Sequence, residues 1–253
     1  MYAAPPPLPG APIPRQPAAL AAKLDSTLRD LNAAVDRWQG LTARPPADVT
    51  LEALYEQRIS ILLSEKPRLA TAVFRRVLAA RQVRRDVVAR RELRRLSRPR
   101  PLRAFETGPA APAYRLRGFY TEAQRRFRVG WHVLAAVNYV ESAFNKLRNS
   151  STAGAQGPMQ FLPSTWRAYG LGGNVHDPHD AILGAANYLH AAGAPGRYQR
   201  ALYAYNPSQA YVDGVLHYAH RMRVDPRAFL EYYAWQVFVR TPCGLRRLTG
   251  PGL

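Results

Sequence analysis

The sequence predicts a mainly α-helical protein. Over most of the chain, apolar residues recur at intervals of three and four, which places them on one face of a helix. Segments rich in Pro and Gly separate these stretches, and no run shows a useful length of the apolar–polar alternation that is typical of a strand. With 253 residues, 47% of them hydrophobic, the chain can bury a sizeable core in one or two domains.

Residues 1–17 hold seven prolines and predict an extended, flexible lead. A helical region over 18–98 follows. Its first helix ends near Gly40, and its apolar positions are Leu20, Leu24, Leu28, Leu31, Val35 and Trp38. Thr50 is a plausible N-cap for the second helix. Pro67 fits the first turn of a third helix, which we expect to run to about residue 96.

The third predicted helix is densely basic. Its arginines are Arg75, Arg76, Arg81, Arg84, Arg85, Arg90, Arg91, Arg94 and Arg95. Two interpretations stand: a solvated helix face, which we favour, or a basic amphipathic surface over 66–98 that docks on anionic envelope polymers or a membrane surface. Because Phe74 is the only aromatic residue in this stretch, we predict no specific nucleic-acid binding.

Residues 99–114 are rich in Pro and Gly and predict a linker. A second helical domain is predicted over 115–240, followed by a tail over 241–253. The expected helices of this domain are 119–128, 131–145, 163–169, 178–191, 197–205, 208–222 and 226–238.

The overall charge is strongly basic, with a formal value of +19. Such a charge favours polyanionic partners, among them nucleic acid, membrane surfaces and cell-wall polymers, without choosing among them. The single cysteine, Cys243, excludes an intrachain disulfide framework. No apolar run is long enough for a transmembrane helix, and no signal peptide is visible. We therefore expect either another export route or a chain that begins after a removed leader.

Glu141 is the strongest candidate for chemistry. It ends an apolar helical run and is the only carboxylate between Glu122 and Asp177. Leu134, Val137 and Asn138 share its helix face. Burial on that face would raise the pKa of the carboxyl, as a general acid requires near neutral pH. The alternative is a solvated or capping glutamate.

Several ordered motifs follow that acid. They are Tyr139–Ser142, Gly154–Phe161, Pro163–Trp166, Asp177–Ile182, Ala186–Leu189 and Ala204–Asn206. In this order, the segment from about 120 to 240 resembles the lytic transglycosylase family of the lysozyme-like superfamily, in particular its actinobacterial cell-wall forms. The resemblance implies a lysozyme-like catalytic domain that is preceded by the basic helical region. It also implies an extracytoplasmic enzyme that acts on peptidoglycan glycan strands.

The resemblance implies that Glu141 is the catalytic acid and base. The expected substrate-binding residues are Ser142, Gln156, Met159, Gln160, Tyr205 and Asn206. We expect Met159 to contact sugar, Phe161 to lie in the core, and the Tyr205 hydroxyl to lie near Glu141. For Ser142, a hydrogen bond to the backbone is the alternative.

Most glycosidases use two carboxylates, yet the sequence offers no convincing second one. Asp177 and Asp180 belong to a helix-start pattern and are predicted to cap it, and Asp213 is predicted to be structural. A one-carboxylate site suits lytic transglycosylation, in which the 6-hydroxyl of the muramic acid is the nucleophile. Two alternatives stay open: a hydrolytic muramidase of the same fold, or a non-catalytic wall-binding protein. No metal site and no cofactor are predicted, since the six histidines form no ligand pattern.

Overall fold

The computed structural model describes residues 5–77 and 81–253, and over these residues the predicted mainly α fold is confirmed. In chain order the helices are α1 (Pro17–Trp38), α2 (Ala47–Glu65), α3 (Pro67–Phe74), α4 (Arg81–Leu96), α5 (Ala113–Phe127), α6 (Trp131–Ser142), α7 (Pro163–Tyr169), α8 (Pro178–Ala191), α9 (Tyr198–Tyr205), α10 (Gln209–Val224) and α11 (Arg227–Ala234). Two short strands follow, β1 (Phe238–Thr241) and β2 (Gly244–Arg247). Among the described residues, every helix is too short or too polar to span a lipid bilayer.

Two expectations for the N-terminal helices were wrong. Thr50 is not an N-cap, because α2 begins at Ala47 and the Thr50 hydroxyl donates to the Pro46 carbonyl within the first turns (3.0 Å). The expected third helix is two helices, α3 and α4; residues 78–80 of that expected helix lie outside the described residues. The break lets α3 pack on α1 while α4 packs against α2 and α10. Because the apolar spacing continues on both sides, the sequence pattern does not reveal the break.

The described part of the Pro-rich lead lies against α2 instead of extending freely into solvent. The Arg58 guanidinium donates to the carbonyls of Pro9 (3.0 Å) and Ala11 (2.9 Å). The Tyr55 hydroxyl donates to the Pro12 carbonyl (2.7 Å). Carbonyls in a Pro-rich segment have few backbone donors of their own, so donors from a neighbouring helix hold this segment in place.

Two apolar cores run through the molecule. One lies within the N-terminal region and contains Leu20, Leu24, Leu28, Tyr55, Ile59, Leu63, Val73, Val83 and Val87. The other is larger and includes the far ends of α1 and α2 together with most of the C-terminal helices. Trp38 and Ala53 therefore lie in the same core as Tyr120, Leu134 and Phe229. The N-terminal helices and the predicted catalytic domain thus share buried surface.

A buried polar network also joins these two parts of the chain. Arg221 on α10 forms ion pairs with Asp86 on α4 and Glu231 on α11, and all three side chains are buried. The Trp235 indole donates to Glu56 on α2 (2.8 Å). Cations and carboxylates are buried at low cost only when they are paired, so this network fixes α4 against α10 and α11.

The chain around the predicted linker and tail differs from expectation. Helix α5 begins at Ala113, inside the predicted linker, because Pro112 can precede a helix start without losing a hydrogen bond. Helix α11 ends at Ala234 instead of 238. Strands β1 and β2 then form a hairpin, with Phe238 opposite Arg247 and Thr241 opposite Gly244. Four-residue strands are too short to show a period-two pattern, which explains why no strand was predicted.

Candidate active site

Glu141 occupies the last turn of α6. Residues 133–138 of that helix are buried, whereas the Glu141 side chain is partly exposed. The helix ends in three consecutive left-handed residues, Ala143 (φ 50°), Phe144 (φ 63°) and Asn145 (φ 68°). A run of non-glycine residues in this region is unusual and costs backbone energy. Burial of the Phe144 side chain offsets that cost and turns the chain away just beyond the acid.

The environment of Glu141 favours its protonated form. Burial raises the pKa of this carboxyl from 4.5 to about 7, and a hydrogen bond from Tyr211 opposes part of that shift. The Tyr211 hydroxyl donates to Oε1 of Glu141 at 2.6 Å. A carboxyl with a pKa near 7 can both donate and accept a proton near neutral pH, as one residue must do if it serves as acid and then base.

No second carboxylate of the described residues influences Glu141, whose pKa is shifted by burial and Tyr211 alone. Asp177 caps α8 by accepting from the backbone N–H groups of His179 and Asp180, which confirms its predicted role. Asp180 accepts from the Asn174 N–H (2.9 Å), and Asp213 accepts from the Gln209 amide (2.8 Å). The carboxylates of these three residues are thus engaged in local hydrogen bonds.

The loop over 154–161 packs directly against α6. Gln156 and Phe161 exchange two backbone hydrogen bonds of 2.9 Å, which close the loop. Gly157 has a φ of +74°, and a Cβ there would lie 1.9 Å from the Val175 carbonyl oxygen, so only glycine fits. The buried Ser142 hydroxyl donates to the Pro158 carbonyl (2.6 Å). Ser142 therefore joins the acid's helix to this loop and is not exposed for the substrate contact that was expected of it.

Met159 lies in the core, contrary to the expected sugar contact. Its side chain is fully buried, and Sδ lies 3.2 Å from the Asn138 amide. Phe161 lies in the core as predicted, edge-on to Trp166 and Tyr205. Asn138 lies on the buried face of α6, and the loop turns Met159 toward it. The sequence spacing does not specify this contact.

The Tyr205 hydroxyl donates to the Met159 carbonyl (2.6 Å). It lies near Glu141, as expected, because the charge of that carboxylate helps to raise the pKa of Tyr205. Its ring lies parallel to that of Tyr211, with centroids 6.5 Å apart. Tyr188 and Tyr169 continue this row of rings on the other side of Tyr205. The four tyrosines form one aromatic wall beside the acid.

The other predicted binding residues have partly exposed side chains. The Gln160 amide donates to the carbonyls of Asn149 (3.2 Å) and Gly157 (3.0 Å), which leaves its own carbonyl oxygen for a ligand. Gln156 and Asn206 are half-buried. Asn206 ends α9 through its backbone N–H, which donates to Leu202. Their roles in binding stay predictions.

Tyr211, whose hydroxyl is bonded to Glu141, was not predicted from the sequence. It is the third residue of α10, after the N-cap Ser208, and it faces inward. The available signal was general: a tyrosine on an apolar helix face needs a partner for its hydroxyl, and the lone buried carboxylate is a natural one. Nothing in the spacing of 70 residues between them indicates the contact.

Two concavities, of about 430 and 850 Å³, lie elsewhere on the molecule, and neither is lined by Glu141. Within this helical domain, Glu141 is a partly exposed acid of raised pKa that lies next to an aromatic wall. Such a site can supply an acid–base group beside apolar ring faces, which is what cleavage of a glycosidic bond requires.

Residues 119–221 match the family described as the transglycosylase SLT domain. Similar curated proteins include a membrane-bound lytic murein transglycosylase F of Thiobacillus denitrificans, 31% identical over 46% of this chain and 26% of that protein. A protein of the same name from Pseudomonas fluorescens is 30% identical over 42% of this chain and 23% of its own length. The chain thus spans about a quarter of these relatives. No solved structure matches it significantly. The likeness to actinobacterial forms stays a prediction.

Replacement of Tyr211 by Phe tests the hydrogen bond to Glu141. Because this bond lowers the pKa of Glu141, we expect the alkaline limb of the pH–rate profile to move to higher pH in Tyr211→Phe. We also expect a loss of about tenfold in kcat, because the carboxyl is no longer held in one orientation. Rates on purified sacculi from pH 5 to 9 provide the measurement. A lower kcat with an unmoved limb would contradict a role through Glu141, and Tyr203→Phe, at an exposed tyrosine of α9, is the matched control.

Proposed function

We propose that this protein is a peptidoglycan lytic transglycosylase, which cleaves the bond between N-acetylmuramic acid and N-acetylglucosamine. The SLT domain and the names of the relatives support the substrate class. The single observation that carries the mechanism is the isolated, partly exposed Glu141, with a pKa raised to about 7 and no carboxylate partner among the described residues.

Glu141 serves first as acid and then as base. Its proton passes to the glycosidic oxygen, and the C1–O bond breaks to release the N-acetylglucosamine hydroxyl. The resulting carboxylate accepts the proton of the muramic acid 6-hydroxyl, whose oxygen bonds to C1. The product is a 1,6-anhydro sugar, Glu141 is again protonated, and no water is consumed. Tyr211 keeps the carboxyl aligned by donating to Oε1 in both steps.

Other side chains near this acid are available to bind the glycan. The half-buried Gln156, Gln160 and Asn206 offer amide groups for hydroxyl or N-acetyl groups. The aromatic wall that includes Tyr205 offers apolar faces to sugar rings. Ser142 and Met159 act as positioning residues, since both are buried.

Mass spectrometry of the products from purified sacculi tests this proposal. We expect muropeptides that end in 1,6-anhydro-muramic acid, each lighter than the reducing form by one water, about 18 Da. Reducing ends from the same digestion would show that water is the nucleophile and that the protein is a hydrolytic muramidase. Binding without any turnover, unchanged by Glu141→Gln, would show a non-catalytic wall-binding protein.

A substrate of this kind places the protein in the cell envelope, outside the cytoplasm. We propose that the exposed arginines within 66–98, among them Arg75, Arg76 and Arg84, attract it to anionic envelope polymers or a membrane surface. Other arginines of this stretch are not available, because Arg90 lies over the Trp235 ring (4.4 Å) and Arg91 donates to the end of α2. Sedimentation with sacculi should weaken as salt rises.

A further inference from the structure

The smaller of the two concavities described above, which Glu141 does not line, lies where α4 and the start of α9 meet α6 and α10. Its volume is about 430 Å³. The polar side chains that line it are Arg85, His132, Tyr198, Asp213, His217, His220 and Arg223. Three imidazoles and two guanidiniums thus converge on one opening. None of them takes part in the proposed acid–base chemistry or in the proposed glycan binding.

The helix geometry explains this convergence. His217, His220 and Arg223 recur at intervals of three along α10 and so share one face. Arg85 comes from α4, which packs along α10, and His132 comes from the first turn of α6. The two arginines are exposed at the rim, whereas the three histidines are half-buried inside it. Donors therefore approach from several directions.

The electrostatic balance of the concavity is positive. Asp213 is its only lining acid, and its carboxylate accepts from Gln209. Asp213 and Arg223 are ten residues apart on α10, or about 15 Å, so they lie at opposite ends. Among the described residues, no carboxylate forms an ion pair with Arg85 or Arg223, and the imidazoles form no hydrogen bond with a side chain. The site thus holds cations and N–H donors with little local compensation.

A metal ion does not fit this arrangement. A metal site needs ligand atoms that converge within a few ångströms. In the part of the chain that the structure describes, His132, His217 and His220 do not converge in this way. Two guanidiniums, which remain charged at any physiological pH and cannot act as ligands, also disfavour a cation. The complementary ligand is an anion.

We propose that this concavity binds a phosphate group of an anionic envelope component. Phosphate has oxygens in several directions, so it can accept from guanidinium and imidazole groups on different walls, and bidentate pairing with Arg suits it. A carboxylate, with two oxygens in one plane, would satisfy fewer of these donors. Phosphodiester wall polymers and phospholipid headgroups share this chemistry, and both are found at the surface on which the proposed enzyme would act.

Binding at this site should depend on pH. The pKa of each histidine is lowered, chiefly by burial, and that of His132 falls to about 4. The charged groups around the site are Arg85, Asp86 and Glu92 on α4, Arg117 on α5, and Asp213 and Arg223 on α10. A bound phosphate adds negative charge, which raises the pKa of His217 and His220. For a phosphodiester, whose own charge does not change in this range, binding therefore takes up protons and strengthens as the pH falls from 7 toward 5.

Three probes test the site: inorganic phosphate, vesicles that contain phosphatidylglycerol, and poly(glycerol phosphate). We expect the double variant Arg85→Gln/Arg223→Gln to lose at least about tenfold in affinity for the probes that bind. The matched control is Arg125→Gln/Arg200→Gln, which removes the same charge from exposed arginines that do not line the concavity. In the wild type, phosphate should also shift the imidazole NMR signals of His217 and His220.

The comparison of the two variants decides the outcome. A selective loss in Arg85→Gln/Arg223→Gln supports the site, and the probe that responds, vesicle or polymer, identifies the source of the phosphate. Equal loss in both variants would mean diffuse attraction by net charge and would overturn the proposal, as would the absence of binding by all three probes. Glu141→Gln should bind as the wild type does, so this result does not depend on the transglycosylase proposal.

Discussion

Glu141→Gln is expected to reduce the rate of glycan cleavage by roughly a thousandfold, because an amide can neither donate the proton to the leaving oxygen nor accept one afterwards. Gln has nearly the same shape and keeps an oxygen that can accept from the Tyr211 hydroxyl, so the fold is preserved. Release of muropeptides from sacculi measures the loss. Full activity in this variant would show that another group is the acid. As a control, Asn145→Asp can be combined with Glu141→Gln. It adds a carboxylate on the turn just after α6, but not at the position that is bonded to Tyr211, so the double variant should remain inactive.

The same variant should be more stable than the wild type at high pH. The pKa of Glu141 in the folded protein is raised to about 7 from 4.5, so ionisation above pH 7 costs folding free energy. Glu141 therefore contributes its full stability below pH 4.5 and loses it as the pH rises through 7. We expect Glu141→Gln to gain roughly 1 to 3 kcal/mol in the free energy of unfolding at pH 8, after allowance for the partly exposed carboxyl. Urea unfolding at pH 4.5 and pH 8 should show that the gain appears only at the higher pH.

The second large effect is expected from the buried network between α4 and α10. Asp86→Ala leaves the Arg221 guanidinium buried with one carboxylate instead of two and removes a partner of the Tyr232 hydroxyl. Loss of one partner from a buried ion pair costs about 3 to 5 kcal/mol. For a chain of this size, that cost corresponds to a fall in Tm of roughly 6 to 20 °C. Thermal unfolding monitored by circular dichroism provides the measurement.

Asp25→Ala is the matched control for Asp86→Ala. It removes an aspartate that pairs with Arg29 on the surface of α1. Exposed pairs of this kind contribute about 0.2 to 1 kcal/mol, so Tm should change by no more than about 4 °C. If Asp86→Ala were no more harmful than Asp25→Ala, the N-terminal helices would not depend on this network for their attachment to the C-terminal helices. We expect instead that unfolding remains a single transition at a lower temperature.

The helices were largely predictable from the sequence. Helices α7 and α8 begin and end where they were expected, because Pro at the first turn and the Asp177 cap are local signals. The break between α3 and α4 was not predictable, because the apolar spacing continues across it. The hairpin of β1 and β2 was not predicted either, since its strands have only four residues each.

The sequence by itself determined the helical class, singled out Glu141 as the candidate acid and supplied the ordered motifs within the segment that matches the SLT family, because each is encoded within a few neighbouring residues. Tertiary structure decided the roles around the acid: Tyr211 and not Tyr205 bonds Glu141, and Ser142 and Met159 are buried. It also placed Arg85, from the basic stretch, beside the histidines of α10. These assignments depend on which faces of distant helices meet. Helical periodicity gives the face of each helix but not its partner, so packing alone settles them.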